Sequence, residues 1–126
     1  MTERELYEKA LSAMQNAYAP YSKFTVGAAL LASSGHIYTG VNVENASYGA
    51  TICAERTAFV KAISEGERNF EAIAIVSGEG KAWPCGICRQ FMLEFVEDDF
   101  NIITGDSIEA LEMRTMKELL PEAFRL

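Results

Sequence analysis

Three cysteines constrain this 126-residue chain more than any other feature of it. They fall in two short clusters, Cys53-Ala54-Glu55 and Pro84-Cys85-Gly86-Ile87-Cys88, each where the residue pattern turns helical. Cys85 and Cys88 are three apart, so on a helical first turn they share a side and can grip one ion. Cys53 supplies a third thiolate, which requires a fold that brings two helix starts to one point. Three protein ligands leave the fourth tetrahedral position for water, the arrangement of catalytic rather than structural zinc. Soft thiolates select zinc over magnesium or calcium.

Cys53 and Glu55 are two apart, and residues so spaced do not face one point on a helix flank. Both reach the same metal only if it lies off the helix's N-terminal end, where free N–H groups and the helix dipole stabilise thiolates. Glu55 then stands beside the metal without being needed as a ligand. It can take a proton from water there and pass it on as a general acid. Three thiolates leave a Zn²⁺ site with net charge −1. Arg56, one turn on from Cys53, is placed to donate hydrogen bonds to the thiolates and offset part of that charge.

Each residue also has an ordinary explanation when read singly. Glu55 can simply complement the helix dipole, and a lone C-x-x-C can be a structural half-site or a redox pair. A closed structural site needs a fourth ligand, and His36, the only histidine, sits at a hairpin turn. Asn42 and Glu44 suit the solvent side of a half-buried strand. Phe24 and Phe124 suit ordinary packing. Only the cysteines together with Glu55 exceed these explanations.

Composition narrows the partners. With 18 acidic against 11 basic residues the net charge is −7, which repels a phosphate backbone. Long nucleic acid and anionic membrane surfaces are excluded as partners, and small or neutral ligands stay open. The start, Met1-Thr2-Glu3-Arg4-Glu5, lacks the basic and apolar regions of a signal peptide. No apolar run reaches the roughly 20 residues that span a bilayer. A cytoplasmic protein is expected, and there an odd cysteine count points to metal or catalysis before disulfides.

The length predicts one domain over residues 1–126. A helix capped by Thr2, with Glu5 at capping-box spacing, runs to a stop at Pro20. Phe24–Ala32 and Ile37–Val43 read as strands joined at Ser33-Ser34-Gly35, with Asn42 and Glu44 sharing a face. Cys53–Ser64 is a helix, Ala72–Val76 a buried strand, and Pro84 to about Val96 a helix with proline in its first turn. Asn101–Thr104 and Ile108–Met113 read as strands, and Thr115–Leu120 as a closing helix. The alternation suggests one sheet covered by helices.

At these residues the sequence resembles the cytidine deaminases, specifically the small homotetrameric zinc type. The likeness covers nearly the whole chain: Ala17 to Phe24, Val26 to Leu30, Asn42 to Ala46, Cys53 to Ala58, Pro84 to Gln90 and Leu119 to Pro121. The resemblance implies an α/β fold, a three-layer α/β/α sandwich on a five-stranded mixed sheet. It also implies one Zn²⁺ per chain held by Cys53, Cys85 and Cys88, with Glu55 shuttling protons. Asn42 and Glu44 would bind sugar hydroxyls, Phe24 would pack on the base, and the Ala54 N–H would meet the base carbonyl. Phe124 and the Ala46 to Tyr48 segment would reach a neighbouring subunit's site in a homotetramer. Trp83 departs from the pattern, standing at the pocket rim where something smaller is often found. The implied reaction is hydrolytic deamination of free cytidine and deoxycytidine, with release of ammonia. The nearest alternative is deamination of a cytosine-bearing antibiotic, as blasticidin-S deaminases do; the Asn42 and Glu44 pair favours the nucleoside. From another class, a non-catalytic zinc-stapled interaction domain would need a closed four-ligand site and no Glu55.

Overall fold

In the computed structural model, which describes residues 1–126, helix α1 spans Glu3–Ala13. Thr2 and Glu5 form the expected capping box: Thr2 Oγ1 accepts from the Glu5 N–H at 3.1 Å and Glu5 Oε1 from the Thr2 N–H at 3.3 Å. The helix ends well before Pro20. A 3-10 turn at Met14–Asn16 follows, and Ala17 is already extended. Tertiary bonding ends it early: the Tyr18 N–H donates to Asn42 O at 3.0 Å, and the Glu44 N–H to Tyr18 O at 2.8 Å.

Strands β1 (Val26–Ala32) and β2 (Ile37–Val41) form the predicted hairpin, with Gly35 in the left-handed region of the turn, φ +97°. Both strands are shorter than predicted: the Asn42 side chain takes over the Val26 N–H and Phe24 O at the start of β1, and past Val41 the backbone of Asn42 and Val43 pairs with Tyr18 and Ile52 instead. Helix α2 (Ala54–Ser64) follows, then β3 (Phe70–Ser77), α3 (Gly86–Leu93), β4 (Asn101–Gly105), β5 (Leu111–Thr115) and α4 (Met116–Leu119). Pro84 precedes the N-cap of α3 rather than lying in its first turn. The last strand starts later than the predicted Ile108, since the chain turns through Ser107–Ala110 and first pairs at Gly105–Leu111.

The five strands form one sheet in the order β2-β1-β3-β4-β5. Only β3 and β4 are parallel, with α3 in the connection between them. Residue alternation sends each strand's side chains to opposite layers. Leu6, Tyr7 and Ala10 of α1 pack with Ala29, Ala74, Val76 and Ile103 on one face. On the other, Val26, Ala28, Leu30, Ile73, Ile75 and Ile102 pack with α2, α3 and Met116. The architecture is the expected α/β/α sandwich. No helix is long and apolar enough to cross a membrane.

One contact matters most for the site. A Cβ placed on Gly40 of β2 would stand 2.5 Å from both Ala54 O and Ala58 N. The first turn of α2 therefore rests directly on the β2 backbone, which sets the height of Cys53 and Glu55 over the sheet. Deeper along α2, Phe59 is fully buried among the rings of Phe70, Phe91, Phe95 and Phe100, at centroid distances of 5.1–6.3 Å.

Candidate metal centre and active site

Cys53 is the N-cap residue of α2 and Cys85 that of α3, both with extended backbone. Cys88 lies in the first turn of α3 and is buried. The three Sγ atoms lie within 4.8 Å of one another. Tetrahedral Zn–S bonds of about 2.3 Å put sulfurs about 3.8 Å apart, so the cluster fits one Zn²⁺ per chain. Two helix N-termini meet it, each with unpaired N–H groups and a positive dipole end.

Arg56 turns back as its spacing predicted: Nη2 donates to Cys53 Sγ at 3.4 Å. Its Nε is buried with no partner among the side chains around it. The Cys53 thiol is drawn down to about 5, chiefly by a hydrogen bond from Cys88 and then, against the opposing cost of burial, by Arg56. Cys88, as donor in that pair, is pushed up. The sulfurs thus already share one stabilised negative charge before any metal is considered.

Glu55 is 5% exposed and its carboxyl is raised to about 7, first by burial and then by the neighbouring Cys53 charge. Hydrogen bonds from its own backbone and from Cys88, with the charge of Arg56, hold it from going higher. An acid poised near neutrality can both accept and donate a proton. It lines a cavity of about 200 Å³ together with Cys53, Cys85, Ala54, Asn42, Phe24 and Trp83. A wider, more open groove of about 780 Å³ lies between α1 and the hairpin. It is lined mainly by polar side chains, and none of the chemistry-bearing residues reaches it.

Asn42 and Glu44 lie beyond the end of β2, so a shared strand face is not what unites them. Both instead hold the segment from Tyr21 to Val26. Asn42 Oδ1 accepts from the Val26 N–H at 2.9 Å, and its Nδ2 donates to Phe24 O at 2.7 Å. Glu44 Oε1 accepts from the N–H groups of Tyr21 and Ser22 at 2.9 and 3.1 Å, and the Ser22 hydroxyl donates to its other oxygen. Lys23 within this segment is left-handed, φ +65°. Phe24 lines the cavity and is 37% exposed.

Four residues predicted to bind substrate do not line this cavity: Glu44, which is turned to the Tyr21–Ser22 backbone, and Ala46, Tyr48 and Phe124. Ala46 is exposed, and Tyr48 and Phe124 are 81% and 66% exposed. Phe124 instead borders a separate crevice with Gln90 and Arg125. His36 is on the hairpin, 3.5 Å from Glu67, and supplies no fourth ligand to the cysteines. The sequence reading missed Val26, Thr51, Ile52, Ile75 and Ala82 as cavity lining. Thr51 and Ile52 adjoin Cys53 and could have been found by proximity. Ile75 carries no local signal, because only the pairing of β1 with β3 brings it there.

Residues 1–104 match the family model described as the cytidine and deoxycytidylate deaminase zinc-binding region. The chain is 47% identical over 125 residues to the cytidine deaminase of Sporosarcina psychrophila, covering 98% of this chain and 92% of that one. It is also 47% identical over 125 residues to that of Halalkalibacterium halodurans, covering 98% and 95%. Among solved structures, the cytidine deaminase from Burkholderia pseudomallei superposes with a TM-score of 0.93 at 44% identity, over 98% of this chain and all of that one. The Mycobacterium tuberculosis enzyme gives 0.88 at 40%, over 100% and 99%. Neither the antibiotic-deaminase nor the interaction-domain alternative is favoured by these likenesses. Matched by that family model over residues 1–104 and by relatives 47% identical across 98% of its length, the chain belongs to the cytidine and deoxycytidylate deaminase family.

Proposed function

We propose that this protein removes the C4 amino group of free cytidine and deoxycytidine by hydrolysis, giving uridine or deoxyuridine and ammonia. The observation that carries this is the buried Glu55 carboxyl, poised near neutrality beside three convergent cysteines in a cavity of nucleobase size. Cys53, Cys85 and Cys88 hold zinc, which when bound supplies water acidified toward neutral pH. Glu55 accepts the proton of the attacking water and delivers it to N3 of the ring. It then takes the proton of the new C4 hydroxyl and passes it to the amino group, which leaves as ammonia as the C4–N bond breaks and the C4 carbonyl forms. Arg56 offsets the thiolate charge.

Ala54, the first residue of α2, has an N–H with no partner in its own helix. That N–H meets the base carbonyl while Phe24 packs on the ring. Asn42 and Glu44 keep free hydrogen-bonding capacity after tying down the Tyr21–Val26 segment, and they hold the sugar hydroxyls. The net charge of −7 suits an uncharged nucleoside that needs no basic groove. Residues 1–126 act as one domain in a cytoplasmic homotetramer, in which Ala46, Tyr48 and Phe124 reach a neighbouring subunit's cavity.

The test compares wild type with Glu55→Gln for zinc content and for cytidine turnover by ultraviolet absorbance. Both proteins are expected to hold about one zinc per chain. Turnover by the Gln form should fall by at least about 100-fold, the scale of a lost general acid–base. Full activity in Glu55→Gln would sink the mechanism.

A further inference from the structure

Trp83 is the only tryptophan in the chain, and it lines the cavity next to Ala82 and Cys85. The zinc chemistry does not explain how firmly this stretch is held. The Arg114 guanidinium carbon stands 5.5 Å from the Trp83 ring centroid, within cation–π range. Glu112 bridges back, with one oxygen 3.6 Å from Arg114 Nη2 and the other 2.6 Å from Lys81 Nζ. The Lys81 N–H donates to Asp106 Oδ1 at 3.1 Å, and the Ala82 N–H to the buried Thr104 Oγ1 at 2.9 Å. Four contacts therefore fasten Lys81–Trp83 to β4, β5 and the turn between them, although β5 is an edge strand that contributes nothing else to the cavity.

The placement along the chain says which part of a base this wall would meet. Trp83 is two residues from Cys85, which puts it near the end of the cavity where C4 reacts. Glu55 serves N3 on one side of C4. The ring atom on the other side of C4 is C5, an apolar C–H edge that needs an apolar neighbour. Val26 and Ile75 are committed to the core, at 9% and 1% exposure. Trp83 is the largest apolar side chain left at that end. Resting on the proposed nucleoside reading, we infer that Trp83 is a specificity-determining residue that closes the cavity against the C5 edge of the base, and that Arg114 positions it.

The experiment measures kcat/KM for 5-iodocytidine and for cytidine, and reads their ratio. Wild type should disfavour the iodo compound by at least about tenfold, on the scale of pocket discrimination against an added group. Trp83→Ala should raise the ratio about tenfold or more. Arg114→Gln should raise it severalfold, with Arg114→Lys restoring most of the discrimination. A merely structural role would slow both substrates together and leave the ratio unmoved. Should Trp83→Ala not fold, Trp83→Leu carries the same comparison. Because Trp83 is the sole indole, uridine titrated into wild type should change its fluorescence saturably. A wild-type ratio near one, or ratios within twofold of wild type in both the Trp83 and Arg114 variants, overturns the inference. Absence of cytidine turnover in wild type with a saturable uridine signal would reject the proposed reaction and keep Trp83 in a pyrimidine pocket. Absence of both rejects the two together.

Discussion

Glu55 sets function against stability at a single residue. Burial is the main cause that raises its carboxyl from the ordinary 4.5 to about 7, so the folded chain binds that proton more tightly than the unfolded chain does. The sign follows by linkage. Below about pH 4.5 both states are protonated and Glu55 has no unfavourable effect. As pH rises from 4.5 through about 7 the unfolded state releases its proton first, and native stability is lost. Above 7 the loss is complete, of order 3 kcal/mol for a group this buried. In protein stripped of zinc by a chelator, Glu55→Gln should therefore be more stable than wild type by about that amount at pH 8. The gap should close as pH falls toward 4.5. Urea unfolding across this window measures it, and parallel pH profiles for the two proteins would refute it. The same substitution abolishes the proposed chemistry, as expected where a strained group serves a site.

At the scale of elements, α2 carries four candidate site residues, Cys53 to Arg56, in its cap and first turn, and Gly40 determines where that turn sits. Adding one methyl there forces apart two backbones, since both near atoms belong to the main chain of α2. Gly40→Ala should cost roughly 1–3 kcal/mol, as overpacking does. It should also lower zinc content per folded chain, because Cys53 moves with the turn. Gly35→Ala is the control. It strains a left-handed turn residue, but nothing lies within 4 Å of the added carbon, so stability should fall while zinc content holds. Equal zinc loss in both variants would show that general destabilisation, not the seating of α2, is responsible.

The elements also show what could be read without coordinates. Capping boxes, turn glycines and apolar period are local signals, so α1, the hairpin, α2 and the cysteine-bearing helix starts were legible. The errors fall where distant residues intervene. Tyr18 bonds to Asn42 and Glu44 and ends α1 early, the Asn42 amide shortens β1, and the pairing of Val43 with Ile52 draws the chain away from β2. The convergence of the three cysteines with Glu55 was legible because metal chemistry demands particular residues at helical spacing. Ile75 and the hold of Arg114 on Trp83 were not, because strand order alone brings Ile75 to the cavity and Arg114 to Trp83.

For the whole molecule, the exposed aromatics pose the remaining question. Phe124 is held in place by backbone and neighbours: Gln90 Nε2 donates to Phe124 O at 3.3 Å, and Arg125 Nη1 donates to Leu93 O and Val96 O at 2.6 and 3.1 Å. Phe124 nonetheless does not line its own chain's cavity and is 66% exposed beside a separate crevice. A large apolar side chain held firmly in an exposed position suits an interface anchor. Any effect of Phe124 on substrate must then act across subunits. Phe124→Ala should raise KM for cytidine several-fold, with kcat per zinc changed less. Sedimentation should show the wild-type chain as a tetramer. The decisive measurement is a mixed assembly of Phe124→Ala subunits with Glu55→Gln subunits. If Phe124 serves a neighbour, some Phe124→Ala subunits in the mixture receive an intact phenylalanine from a Glu55→Gln partner. The mixture should then show a population of sites with wild-type KM that neither parent has. If KM in the mixture matches that of Phe124→Ala alone, the ring serves only its own tail and the shared-site assembly is wrong.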